Sequence, residues 1–237
     1  MSDLKIWKAI CGIKYPAAAA LFDRRGDIAA RWRSKFDLTD WRIAPSEVTL
    51  LNSTAGTPRF QVGHRGTVCV MELPKRYREF RDYAFDVLCD TLETLDVGKL
   101  ERVGLRLLLL AERRSFKALL TRMRRELYRI SDEAWSPLGG LPIDIGFPLT
   151  LRIGDCKANF TMGPMEKEQL EGYFDSVAVK EKLPATALFV DFDLYMEEPD
   201  FRPKDFKKEL SQFLDLGESE VVSRSKRFIE QFGGFER

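Results

Sequence analysis

The sequence predicts an α+β fold: a largely antiparallel sheet with helices packed on one face, arranged as two similar halves side by side. Three observations carry this expectation. Strand-like segments come mostly as hairpins rather than crossovers. The intervening helices each show one apolar stripe. With 237 residues, 44% of them hydrophobic, the chain can bury roughly 70–75% of its unfolded surface around a core.

Taken in order, the run Ala17-Ala18-Ala19-Ala20-Leu21-Phe22-Asp23 reads as a short strand, closed by Arg24-Arg25-Gly26. Asp27 to Phe36 then reads as a helix with Ile28 and Trp32 one turn apart on its inner face. Trp41–Ala44 and Val48–Asn52 are extended around a turn at Pro45. From Arg59 to Leu73 the alternation of Phe60 and Val62 with Val68 and Val70, around Gly63-His64-Arg65-Gly66, predicts a hairpin. Pro74 opens a long helix over Lys75–Asp96, with Phe80, Ala84, Val87, Leu88, Leu92 and Leu95 as its core stripe.

Gly98 ends that helix, and Val103–Leu110, within Leu100–Glu112, is apolar enough for a central strand in which Arg106 is the odd member. Ser115–Ile130 returns to helix. Residues 135–148 concentrate Gly and Pro and form a loop, followed by a second hairpin over Leu149–Ile153 and Ala158–Met162. Gly163–Lys182 is polar and reads as a surface excursion. Ala187–Tyr195 alternates as a half-buried strand, and helices over Lys204–Leu214 and Glu218–Phe232 close the chain.

The formal charge of +1 conceals an asymmetry. Residues 1–130 carry 25 basic and 16 acidic side chains, and residues 131–237 carry 13 and 21. Opposite charges draw two halves, or two copies, together, or leave an anion-binding face on one half. A basic half over 1–134 and an acidic half over 135–237, joined as one compact unit, is the expected organisation. The four cysteines form no Cys-x-x-Cys pair, which disfavours a zinc knuckle. No apolar run reaches the roughly 18 residues of a membrane span, and the opening Met1-Ser2-Asp3-Leu4-Lys5 lacks the plan of a signal peptide, so a cytoplasmic protein without membrane contact is expected.

Catalytic chemistry finds little support. His64 is the single histidine, so a Ser-His-Asp or Cys-His mechanism would have to use it, and its place between glycines fits a turn residue. No phosphate-cradling Gly-x-x-x-x-Gly-Lys-Ser/Thr or Gly-x-Gly-x-x-Gly occurs, and no cofactor is expected. Asp191 and Asp193 project from one face of their strand and can offer oxygen ligands to a divalent metal, or form a solvated face. Lys117, Arg122, Arg124, Arg125 and Arg129 form the densest basic series, with Lys117, Arg124 and Arg125 on a common outer sector and Tyr128 beside them. Lys75-Arg76-Tyr77-Arg78 repeats the theme. Clustered arginine suits phosphate, of a nucleic acid or of a small anion.

Arg102-Val103-Gly104-Leu105-Arg106 resembles a sporadically distributed family of uncharacterised bacterial proteins with a Val-Gly-Leu-Arg-Tyr-Ile-Asn type strand after a long amphipathic helix. The order of elements agrees. Phe60 to Leu73 with Tyr77-Arg78-Glu79-Phe80 resembles its hairpin and following helix, and Leu188-Phe189-Val190-Asp191-Phe192-Asp193 its late acidic strand. Leu107-Leu108-Leu109 replaces Tyr-Ile-Asn, so any polar role of that Tyr or Asn is absent here. The resemblance implies no assigned reaction and an accessory role, as in phage-defence or mobile-element systems.

These readings lead to a non-enzymatic cytoplasmic binding or adaptor protein with a protein partner or a second copy of itself. Two alternatives stand beside it. One is a nucleic-acid-binding protein or metal-dependent nuclease using the basic helix. The other is a protein that binds a small anionic ligand between the halves.

Overall fold

The computed structural model describes residues 4–36, 38–52, 58–129, 135, 137 and 139–231. The first unit comprises strand β1 (Lys5–Lys14), helix α1 (Ala20–Lys35), strands β2 (Asp40–Ala44), β3 (Glu47–Leu51), β4 (Arg59–Gly63) and β5 (Gly66–Glu72), and helix α2 (Tyr77–Thr94). The second comprises β6 (Arg102–Glu112), α3 (Phe116–Met123), β7 (Phe147–Ile153), β8 (Cys156–Glu166), short helices α4 (Lys167–Glu171) and α5 (Val177–Lys182), β9 (Thr186–Glu197), α6 (Phe206–Leu216) and α7 (Ser223–Gln231).

All nine strands form one antiparallel sheet in the order β2-β3-β4-β5-β1-β6-β9-β8-β7. The order is nearly its own mirror. In each unit the first strand lies innermost and the last strand pairs with it; outside these lie the three strands β4-β3-β2 in the first unit and the β8-β7 hairpin in the second. The units meet where β1 pairs with β6, and Gly12 faces Gly104 across that seam. The repeat therefore divides after α2. Strand β6 and helix α3, which the expected 1–134 half includes, follow that point in the chain.

The main helices share one face. Trp32 of α1, Phe80 and Leu88 of α2, Leu119 of α3, Phe213 of α6 and Ile229 of α7 are buried against Cys11, Phe60, Leu107 and Phe192 of the sheet in one core. The expected surface excursion at Gly163–Lys182 is different in kind. Its start belongs to β8, and α4 and α5 lay Leu170, Phe174 and Val179 over Leu108, Leu110 and Phe189 on the other face of the sheet. That cover is tied down by an ion cluster. Lys8 Nζ lies 3.0 Å from both Glu72 Oε1 and Asp175 Oδ2 and donates to the Tyr173 carbonyl, while Glu72 accepts the Asp175 and Ser176 N–H groups.

The start of the chain corrects the sequence reading. Ala20-Leu21-Phe22 opens α1, with Arg24-Arg25-Gly26 inside it, because alanine is the best helix former and supplies no branched side chain for a sheet. The first strand is Lys5–Lys14 instead, its three lysines masking an otherwise apolar segment. Lys8 is buried there because Glu72 and Asp175 supply its counter-charge. Other cross-chain pairs also join a basic residue of the first stretch to an acidic one of the second: Arg81–Asp215, Arg102–Asp193 and Arg106–Asp191.

Candidate functional site

The residues singled out from sequence fall in three places. His64 occupies the β4–β5 turn, where its backbone N–H donates to the Ser46 carbonyl and its carbonyl accepts from Ala18. Asp191 and Asp193 share the sheet face opposite the main helices. Arg106 holds Asp191 through both carboxylate oxygens, at 2.8 and 2.5 Å, and Arg102 reaches Asp193 at 3.4 Å while its guanidinium lies over the Tyr195 ring. Burial pushes the Asp193 carboxyl up, opposed by Arg102 and Arg106. Among the described residues, no three His, Cys, Asp or Glu side chains are grouped to hold a metal ion.

The basic helix is shorter than its pattern. Helix α3 ends at Met123 and gives way to a π turn over Arg124–Tyr128, which Arg129 closes in the left-handed conformation at φ 49°. A π turn winds more residues per turn than an α-helix, so the spacing changes beyond Arg124, at Arg125 and Arg129, while Lys117 and Arg124 remain joined by α-helical residues. Lys117, Arg122 and Arg125 line a shallow surface hollow with Ser115, Ala118 and Thr121; Arg124 and Arg129 are not among its walls. Arg125 is paired with Glu126.

The larger concentration of positive charge lies elsewhere, in a hollow of about 710 Å³ between the two units. Its first wall is the entry to α2. Pro74 removes an N–H, and Arg76 takes the N-cap position in extended conformation. Arginine has no oxygen to offer the first turn, so α2 begins without a side-chain cap at Arg76, and Glu79 of its first turn accepts the Lys75 N–H at 2.9 Å. Lys75, Arg76 and Arg78 surround this end, Lys5 stands on β1, and Lys182 of α5 and Lys226 of α7 approach from the second unit. Lys5, Lys75, Arg76, Lys182 and Lys226 are exposed and enter no ion pair among the described residues; Arg78 has a 3.7 Å contact with Asp82, and Glu218 is the single acidic wall residue.

The remaining wall is apolar, from Leu4, Ile6, Trp7, Leu73, Pro74 and Val222. Trp7 is there because of a β-bulge. The β1–β6 register skips between Ile6 and Lys8, which turns Trp7 to the same side as Lys8. Leu73, in the left-handed region at φ 50°, donates its N–H to the Trp7 carbonyl at 2.7 Å. Below, the buried Tyr77 hydroxyl donates to the Leu214 carbonyl, and burial pushes its pKa up.

The pseudo-symmetry supplies an internal comparison. The equivalent position, at the start of α6 beside the end of α2, is a hollow of about 360 Å³ lined by Lys204 and Lys207 together with Glu93 and Asp96. There Lys207 is paired with Glu93. Charge is thus balanced at one of the two related sites and unbalanced at the other.

Lys75-Arg76-Arg78 was visible as a basic segment, and a helix entered through Pro74 with no Ser, Thr, Asp or Asn at its cap is a readable signal. Lys5, Trp7, Lys182 and Lys226 carried none, since they converge only through the sheet order. A scan against protein-family models finds no match, and a search of curated proteins finds none.

Proposed function

We propose that the protein is a non-enzymatic binding protein that takes a phosphate-bearing ligand into the hollow at the start of α2. The observation that carries this is the set of cations around one concave space, contributed by both units, of which Lys5, Lys75, Arg76, Lys182 and Lys226 enter no ion pair among the described residues. Charges of one sign in a low-dielectric concavity attract an anion far more strongly than the same charges spread over a surface. Phosphate suits arginine and lysine donors together with free helix N–H groups. This reading joins the adaptor expectation to the small-anion alternative, and a cytoplasmic accessory role, as the family resemblance implies, is compatible with it. The series on α3 supports nucleic acid less well, because Arg125 is paired with Glu126 and neither Arg124 nor Arg129 lines the shallow hollow of Lys117, Arg122 and Arg125.

The test is thermal unfolding with pyrophosphate. A ligand at one hundred times its Kd stabilises by about 2.7 kcal/mol, so wild-type melting should rise, and less so at high salt. Arg76→Glu with Lys226→Glu should abolish the rise while leaving the ligand-free melting temperature nearly unchanged. No rise in the wild type, or a rise that survives in the double variant, defeats the reading.

A second reading concerns self-association. β2 is an outer strand of the sheet, and on it Trp41 and Ile43 are 52% and 40% exposed. An edge strand with exposed apolar side chains invites pairing with a second copy. Sedimentation equilibrium of wild type and Trp41→Lys tests this: a concentration-dependent dimer lost in the variant supports it, and a wild-type monomer at all concentrations removes it.

A further inference from the structure

Resting on the anion-binding reading, we propose that the ligand is a single nucleotide, its polyphosphate among the cations and its base against the Trp7 indole. Size is the first argument. A water molecule occupies about 30 Å³ of liquid, so a hollow of about 710 Å³ is far larger than one phosphate or pyrophosphate fills. It lies in the range of small-molecule ligand pockets.

The second argument is the division of the lining. Cations at the α2 entry face Lys182 and Lys226 across the space, a spread that suits a chain of phosphates better than one. Apart from Glu218 the rest of the wall is largely apolar, and of its two rings Tyr77 is buried with its hydroxyl bonded to the Leu214 carbonyl, which leaves Trp7 as the half-exposed one. A ligand that is only anionic leaves this surface unused. A phosphorylated compound with a planar aromatic part uses both.

The third argument is how Trp7 is held. A two-residue bulge turns it toward the hollow, the left-handed Leu73 bonds to its carbonyl, and Phe174 braces its ring edge-on at 6.1 Å. Indole faces take bases of any identity, so this wall sets the class of ligand rather than the base. The concave shape and the limited volume favour a free nucleotide over a strand.

Calorimetric titration with pyrophosphate, adenosine and guanosine triphosphates and a short single-stranded oligonucleotide tests this, on wild type, Trp7→Leu and Trp7→Phe. Stacking of one base is expected to make the triphosphates bind roughly tenfold tighter than pyrophosphate. Trp7→Leu should remove that advantage and leave pyrophosphate affinity within about twofold; Trp7→Phe should retain most of it. If Trp7→Leu fails to fold, the comparison of Trp7→Phe with wild type, in which only the wild type loses Trp7 fluorescence on binding, decides the matter. Equal affinity for pyrophosphate and triphosphates overturns the nucleotide inference and leaves the anion-binding reading standing. Absence of binding by all of these defeats both, and tighter binding of the oligonucleotide than of either triphosphate replaces the free nucleotide with a nucleic acid.

Discussion

Arg106 stands directly across from Asp193 in the β6–β9 register, yet it grips Asp191, two residues away on the same face of β9, through both carboxylate oxygens. The diagonal leaves Asp193 to Arg102 and keeps two carboxylates on one strand face compatible. Arg106→Met removes the stronger of the two clamps. Arg106 is 42% exposed, so the loss is screened and should be about 1 kcal/mol, well below that of a fully buried pair. The pH dependence has a definite sign. The Asp193 pKa is already raised, so the folded state holds its proton to higher pH than the unfolded state does, and ionising it costs stability. Without Arg106 that cost grows, so urea midpoints of wild type and variant should lie closer at pH 4 than at pH 7.

Two glycines in helical segments should respond in opposite directions. Gly26 is exposed inside α1, and an added Cβ meets nothing within 4 Å. Gly26→Ala should therefore stabilise by about 0.5–1 kcal/mol. Gly217 is buried in the π turn after α6, where a Cβ would collide with the Tyr77 hydroxyl and lie 2.7 Å from Leu105 Cδ2. Gly217→Ala should cost about 3 kcal/mol in urea unfolding.

Lys8→Met should cost about 3–5 kcal/mol, because Glu72 would remain buried without its cation. The damage should be local first, seen as faster hydrogen exchange in α4 and α5. At the rim of the same cluster, burial works to raise the Asp175 pKa, but the Lys8 hydrogen bond and the Lys8 and Arg59 charges override it and hold the carboxyl below its usual range. Its contribution is thus present above about pH 4 and lost as pH falls through the lowered value. Asp175→Asn should be less stable than wild type at pH 7, by under about 1 kcal/mol given its 56% exposure, and equal to it near pH 2.

Cys11 and Cys69 face each other across β1 and β5, both fully buried. Burial pushes the Cys11 thiol up to about 12 and raises Cys69 as well. Neither should react with a thiol reagent at pH 8 faster than the protein unfolds globally. Because the folded state keeps these protons while the unfolded state sheds them above about pH 9, stability should fall as pH rises beyond that point. Alkaline melting curves of Cys11→Ala should show a shallower decline.

Where side-chain periodicity decided the outcome, sequence and structure agree. The stripe from Phe80 to Leu95 and the apolar run Val103–Leu110 bury as their spacing implies, and so does the face of Leu188, Val190, Phe192 and Leu194, whereas Ala187 and Phe189 on the other face of that expected half-buried strand are buried too. Misreadings arose where a remote partner decides. Lys8 is inside a sheet because Glu72 and Asp175 come to it, and the polar stretch around Leu170 and Phe174 is a cover because the second face of β6 and β9 needs one. The basic helix ends in a π turn, closed by a left-handed Arg129, that local spacing does not announce. The candidate site suffered most from this dependence, since Lys5, Arg76, Lys182 and Lys226 are gathered by topology and not by proximity along the chain.

The seam between β1 and β6 also bears on how the molecule is made. Strand β1 pairs with residues 66–72 on one side and 102–110 on the other. During synthesis it emerges before either neighbour: its first partner strand follows after roughly fifty residues and its second only after roughly ninety. The lysines at positions 5, 8 and 14, which cost the finished fold a buried charge, keep that waiting strand soluble and discourage it from pairing with the wrong chain.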